Sequence, residues 1–69
     1  MKKKLQHYVG RIVRLKKTTF QKIAQRAARS GEAIENCFVV GAVNRPMREL
    51  ICYAGNMRVA VSLTEIVLV

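Results

Sequence analysis

The sequence contains no Asp and no Trp, and only one His and one Pro among its 69 residues. Its four acidic residues are all glutamates, and all of them follow position 31. Acid and base catalysis requires several titratable groups that converge on one site. Because His7 and four scattered glutamates supply few such groups, we expect a protein that is not an enzyme and that needs no cofactor.

Cysteine is also scarce, since the chain has only Cys37 and Cys52. Small secreted domains usually carry more cysteines, which act as covalent staples. No Cys-x-x-Cys or His-x-x-x-His spacing is present, so one chain does not provide a closed zinc site of Cys and His. We expect both thiols to pack as small apolar side chains, which could face each other on neighbouring strands, in a reduced, cytoplasmic protein.

Long apolar runs are absent. The longest, residues 37–43 and 66–69, fall far short of the roughly 20 residues that cross a bilayer. Near the start, Gln6, His7 and Gly10 interrupt what would be the apolar part of a signal peptide. The sequence therefore predicts neither a membrane span nor an export signal.

Basic residues dominate the first half of the chain. The formal net charge is +9, and ten of the thirteen Lys and Arg residues precede position 30. Charge of one sign repels itself unless an anionic partner offsets it. The hydrophobic content of 51% is nevertheless too high for a disordered basic tail. We expect a folded domain whose first half meets a polyanion or an anionic surface.

One strand and one helix are predicted in this basic half. Residues 7–15 are rich in β-branched and aromatic side chains and predict a strand. Thr18 and Gln21 have the spacing of a capping box, which predicts that a helix starts there, and Ser30-Gly31 predicts its end. Helical spacing places an apolar stripe on the side that faces the core, and this stripe comprises Phe20, Ile23, Ala24, Ala27 and Ala28.

The second half reads as a β-meander with strands over residues 37–43, 49–53, 57–62 and 66–69. Between these strands, the sequence predicts a turn at Pro46, a tight hairpin turn at Gly55-Asn56, and a single helical turn over residues 63–65. We predict a basic, flexible tail over residues 1–6 and one α+β domain over residues 7–69: strand, amphipathic helix, antiparallel meander. Two closures remain open, a small SH3-like barrel and a two-layer sandwich of helix on sheet.

The candidate site is a set of cations and amides on the exposed helix face and on the segment before it. Such a face can follow successive phosphates, so we expect it to bind DNA or RNA. Its members are Arg14, Lys16, Lys17, Lys22, Gln25, Arg26 and Arg29. Tyr8 and Tyr53 are candidates for base stacking, although half-buried strand aromatics are the commoner case. A second basic rim is conceivable at Arg45, Arg48 and Arg58.

Two other functions fit the same residues. The apolar segment 66–69 predicts a sheet edge that another chain could pair with, as in a homodimer or a small protein-interaction adaptor. The helix could instead lie on an anionic lipid surface, but its apolar face is mostly alanine and would bury little there. No small-molecule substrate is indicated by any motif.

Overall fold

The computed structural model describes residues 5–68, which form one helix, five strands and two short 3-10 helices. Residues 1–4 of the predicted tail, and Val69 of the last predicted strand, lie outside the described residues. Within the described part, no helix is long and apolar enough to cross a membrane. The elements are, in order, a first 3-10 helix Leu5–Tyr8, β1 Ile12–Leu15, α1 Lys17–Arg29, β2 Phe38–Asn44, β3 Glu49–Ala54, β4 Met57–Ser62, a second 3-10 helix Leu63–Glu65, and β5 Ile66–Leu68.

The five strands form one antiparallel sheet in the order β4-β3-β2-β1-β5. The predicted α+β class is therefore confirmed. The β3–β4 hairpin turns where the sequence predicted it, and Gly55 adopts the positive φ of 57° that such a turn requires. The predicted bounds of β4 and of the one-turn helix before β5 also match the structure.

The first strand is shorter than predicted, because the chain turns before it. Leu5–Tyr8 forms a 3-10 helix, and the Arg11 N–H donates to the Tyr8 carbonyl at 2.9 Å. Gly10 has a φ of 87°, in the left-handed region that side chains with a Cβ rarely adopt. The prediction of a strand from residue 7 was wrong. Residues 7–9 have strand-type side chains, but a turn at residues 9–10 separates them from β1.

Helix α1 begins differently from the prediction and ends as predicted. It starts at Lys17, with Lys16 in the N-cap position and no side-chain cap, so the capping box at Thr18 and Gln21 was wrong. At the other end, the N–H groups of Gly31 and Glu32 donate to the carbonyls of Ala28 and Ala27, at 3.0 and 2.9 Å. With Gly31 at a φ of 79°, these two bonds form a Schellman motif.

The core lies between α1 and one face of the sheet. Val13, Phe38, Val40, Leu50 and Cys52 are fully buried there. The helix contributes Ile23 to this cluster, and Phe20 meets Phe38 edge to face, with ring centroids 6.4 Å apart. Ala27 is also buried, whereas Ala28 is exposed, so the buried stripe of α1 is narrower than predicted.

The sheet is open. Of the two predicted closures, the SH3-like barrel is therefore wrong and the two-layer sandwich of helix on sheet is confirmed. Strands β4 and β5 are the two edges of the sheet and do not pair with each other within residues 5–68. Closure would require β5 to bond with β4 as well as with β1, but within the described residues β5 pairs with β1 alone. Instead, Phe20 and Ile23 of α1 cover the core, so the architecture is a helix on an open, five-stranded sheet.

On the side of β2, a side chain rather than a strand holds the end of β1. The Leu15 N–H donates to the Asn36 Oδ1 at 2.7 Å, and the Asn36 Nδ2 donates to the Leu15 carbonyl at 2.8 Å. Leu15 is almost completely buried. The Asn36 amide therefore takes the place of a backbone partner just before β2 begins, and it satisfies both polar groups of Leu15.

We expect Asn36→Ala to lower the free energy of unfolding by about 1–3 kcal/mol, because two partly buried backbone groups lose their partners. Urea denaturation followed by circular dichroism would measure this. Asn36→Asp keeps the acceptor for the Leu15 N–H but loses the donor to its carbonyl, so we expect an intermediate loss. Unchanged stability of the alanine variant would show that these bonds contribute nothing net.

Candidate nucleic-acid interface

Three cations and an amide lie together on the exposed side of α1. Lys22, Gln25, Arg26 and Arg29 are all exposed. At 100° per residue, the three cations fall within a sector of about 60°, and they span about 10 Å of the helix axis. Ile23 and Ala27 are buried at about 90° and 130° around the helix from the centre of the cation sector, so burial of the apolar stripe turns this set outward. We call Lys22, Arg26 and Arg29 the basic face.

Lys16 and Lys17 are exposed at the start of the helix and are not part of the basic face. Lys17 lies about 140° around the helix from Lys22. Glu65 lies beside this end of α1, because its carboxylate accepts from the Thr19 hydroxyl at 3.3 Å and its carbonyl accepts from the Lys16 N–H at 2.8 Å. This acidic neighbour lowers the positive potential at the helix start.

Arg14 is separated from the helix face. It alternates along β1 with Val13 and Leu15, which are buried, so its side chain belongs to the other side of the sheet. We call this side the outer face. In the register, Arg14 lies opposite Val67 of β5, which is also exposed there. The structure therefore brings together four of the seven predicted residues and leaves Arg14, Lys16 and Lys17 apart from them.

A groove runs beside the basic face and adds a cation to it. Its volume is about 500 Å³, and it is lined by Ile23, Arg26, Ile51, Arg58, Val59 and Ala60. Arg26 comes from α1 and Arg58 comes from β4, so the groove has an apolar floor and an arginine from each element. An arrangement of this kind suits a ligand that carries both apolar rings and anionic groups.

The two tyrosines have different surroundings. Tyr8 is half-buried and packs against the core from the first 3-10 helix. Tyr53 is exposed on the outer face and lies opposite Arg58 in the β3–β4 register. Of the two stacking candidates, only Tyr53 presents its ring to solvent beside a cation.

The groups considered for catalysis and metal binding are spread out. Cys37 is exposed and precedes β2, Cys52 is buried in β3, and both are free thiols. The register pairs Cys52 with Val40, three positions from Cys37, so the expectation that both thiols pack in strands and face each other was wrong. Burial raises the pKa of the Cys52 thiol to about 11. Within residues 5–68, no three His, Cys, Asp or Glu side chains are grouped so that they could hold a metal ion.

Comparison with known proteins adds no functional information, because no family model, curated protein or solved structure matches this chain. The functional assignment therefore depends on geometry and charge.

Arg58 is the residue that the sequence did not place in the site. The Gly55-Asn56 turn fixes the register that pairs Arg58 with Tyr53, so this pairing could be predicted from the sequence. The position of Arg58 across a groove from Arg26 could not be predicted from the sequence, because this position depends on how α1 packs against the sheet.

The two thiols should react very differently in the folded protein. At pH 8, a pKa of about 11 leaves about 0.1% of Cys52 as thiolate, and its side chain is fully buried. We expect a chromogenic disulfide reagent to label one thiol rapidly in buffer and both in urea. Cys37→Ser should abolish the rapid phase and Cys52→Ser should preserve it. Equal labelling rates for both thiols in the folded protein would contradict the burial of Cys52.

Proposed function

We propose that this chain is a small, non-enzymatic nucleic-acid-binding protein whose basic face contacts phosphates. The observation that carries the proposal is the alignment of Lys22, Arg26 and Arg29 on the exposed side of an ordered helix. Lys16 and Lys17 extend the contact at the helix start, Gln25 adds an amide that can donate to or accept from a base edge, and Arg14 adds a cation on the outer face.

Electrostatic cost supports this reading of the basic face. Lys22 and Arg26 are four residues apart and Arg26 and Arg29 are three apart, so each like-charged pair costs about 0.2–0.5 kcal/mol in an isolated helix. Arg26 and Arg29 recover part of this cost near the helix C-terminus, where cations are favourable by about 0.3–1 kcal/mol. Lys22 has no such compensation in the middle of the helix. A row of phosphates would offset the repulsion at all three positions.

The proposal includes a cytoplasmic setting, in which exposed Cys37 would stay reduced. It requires neither a cofactor nor a small-molecule substrate. A homodimer is compatible with it, since two copies would double the number of phosphate contacts without any change to the basic face.

A second candidate is a protein-interaction adaptor that uses a sheet edge. β5 pairs with β1 on one side, it forms an edge of the described sheet, and Val67 is half exposed there. A partner strand could extend the sheet at this edge. This candidate predicts binding to a protein chain with no affinity for DNA or RNA.

The triple variant Lys22→Ala, Arg26→Ala, Arg29→Ala tests the phosphate contact. For a wild type that neutralises five or six phosphates, we expect log affinity to fall with log salt at a slope of about −5. The variant should bind weakly, and its slope should be shallower by about 2–3, because three counterion-releasing contacts are lost. Fluorescence anisotropy with labelled single-stranded and duplex oligonucleotides at several salt concentrations would measure both quantities.

A matched control separates the basic face from net charge. Arg11, Arg45 and Arg48 are exposed and lie outside α1, and Arg45 and Arg48 belong to the second rim considered from the sequence. Their triple alanine variant carries the same formal charge as the test variant and therefore also tests that rim. We expect it to bind within a few-fold of the wild type. If both variants lose affinity equally, the attraction comes from overall charge, and the basic face is not the site. If the wild type binds no polymer at low salt, the proposed function is wrong and the edge adaptor becomes the better candidate.

A further inference from the structure

The outer face of the sheet carries a row of exposed apolar side chains that the core does not use. Ile12 pairs with Val39, Val39 with Tyr53, and Tyr53 with Arg58, so these four residues cross four adjacent strands side by side. Ile12 is 50% exposed, Val39 46% and Tyr53 42%. Such similar exposure on three adjacent strands makes one continuous surface rather than scattered apolar residues. We call Ile12, Val39, Tyr53 and Arg58 the outer row.

The ring of Tyr53 lies against Gly41, which has no side chain. A Cβ at Gly41 would lie 2.5 Å from Cε2 and 2.9 Å from Cδ2 of this ring, closer than real side-chain contacts allow. Gly41 does not have a positive φ, so the role of glycine at this position is to leave space for the ring. Tyr53 therefore rests against β2 at Gly41, and its exposed part faces solvent as a supported aromatic surface.

Cations border this surface. Arg58 lies next to Tyr53 in the outer row, and Arg14 lies on the same face opposite Val67. The alternation of β3 also puts Glu49 on this face, but four residues from Tyr53, which is about 13 Å along the strand. The immediate neighbours of the aromatic ring are thus apolar or positively charged.

The groove connects the outer row to the basic face. Arg58 belongs to the outer row and Arg26 belongs to the basic face, and both line the same groove. A polyanion bound along α1 can therefore continue past Arg26 and Arg58 onto the outer face without leaving positively charged surface.

We propose that the partner is single-stranded nucleic acid, with an unpaired base stacked on Tyr53 and its neighbouring phosphates held by Arg58 and Arg26. This inference rests on the proposed function and specifies its ligand. Duplex bases are already stacked on each other and cannot cover an exposed ring, whereas unpaired bases stack on aromatic side chains. Val39 and Ile12 extend the apolar surface for the next base in the strand.

A second copy of the chain is a weaker occupant for this face. A symmetric interface would bring the Arg14 and Arg58 residues of both copies onto the same buried patch, and each copy has a net charge of +9. The row also offers only three partly exposed apolar side chains, well short of the about 800 Å² that each partner of a stable interface usually buries.

The chain's composition permits a direct optical test. It has two tyrosines and no tryptophan, so Tyr8→Phe leaves Tyr53 as the only fluorescent side chain other than phenylalanine. We would titrate this variant with oligothymidylate, with an abasic strand of the same length and charge, and with a duplex. Stacking predicts quenching by oligothymidylate, corrected for absorbance, and little quenching by the abasic strand or the duplex. Equal quenching by all three would overturn the stacking.

Affinity of ring variants provides the second measurement. Tyr53→Leu keeps an apolar cover over Gly41 but removes the aromatic face, so we expect it to bind oligothymidylate about 5- to 150-fold more weakly. Its affinity for the abasic strand should not change. Tyr53→Phe should retain most of the affinity. Equal affinity of the leucine variant and the wild type for oligothymidylate would overturn the inference.

The controls distinguish this failure from failure of the proposed function. If the abasic strand binds and the basic-face variant abolishes that binding, the phosphate contact stands even when Tyr53 proves irrelevant. If no polymer binds, both proposals fail together. Analytical ultracentrifugation provides the remaining check, because a dimer that Tyr53→Leu dissociates would assign the outer row to a second copy and overturn the base-stacking proposal.

Discussion

The packing of α1 onto the sheet is the interaction on which the rest of the structure depends. The edge-to-face contact of Phe20 with Phe38, together with the burial of Ile23, fixes the rotation of the helix about its axis. That rotation decides which side chains face water. It also covers the part of the core that an open sheet would leave exposed, and it places Arg26 at the groove shared with Arg58. Core and candidate interface are therefore two consequences of one packing contact.

The sequence was sufficient wherever a local pattern determines the conformation. The 3.6-residue period of α1 predicted its basic face and, except for the exposed Ala28, its apolar stripe, and Gly31 and Gly55 marked turns that only a few residues tolerate. It was insufficient where one local signal opposed another. Residues 7–9 have strand-type side chains, but the turn at Gly10 separates them from β1, and the helix start depends on tertiary contacts with Glu65 rather than on Thr18. The groove could not be predicted from the sequence, because it brings together Arg26 and Arg58, which are 32 positions apart.

Small size would give the proposed binding surface a stabilising role. A domain of this length has a small core and limited stability, and a ligand that binds only the folded state adds to that stability by mass action. The cations of α1 repel one another in the free protein, so bound phosphates would also relieve repulsion within the helix. Binding and folding would then be coupled, because the surface proposed to bind the partner is also the one whose repulsion costs stability.

The open sheet has a further consequence for how the protein behaves at high concentration. Two unpaired edges invite strand exchange between molecules and, eventually, fibrous aggregates. Here one edge, β5, is three residues long in the part of the chain that the structure describes, and the other, β4, carries Arg58 on the outer face. An approaching copy would meet a short edge or a positive charge, and every copy repels the next through its net charge of +9. The same arginine that borders Tyr53 would thus also disfavour the pairing of a second copy along β4.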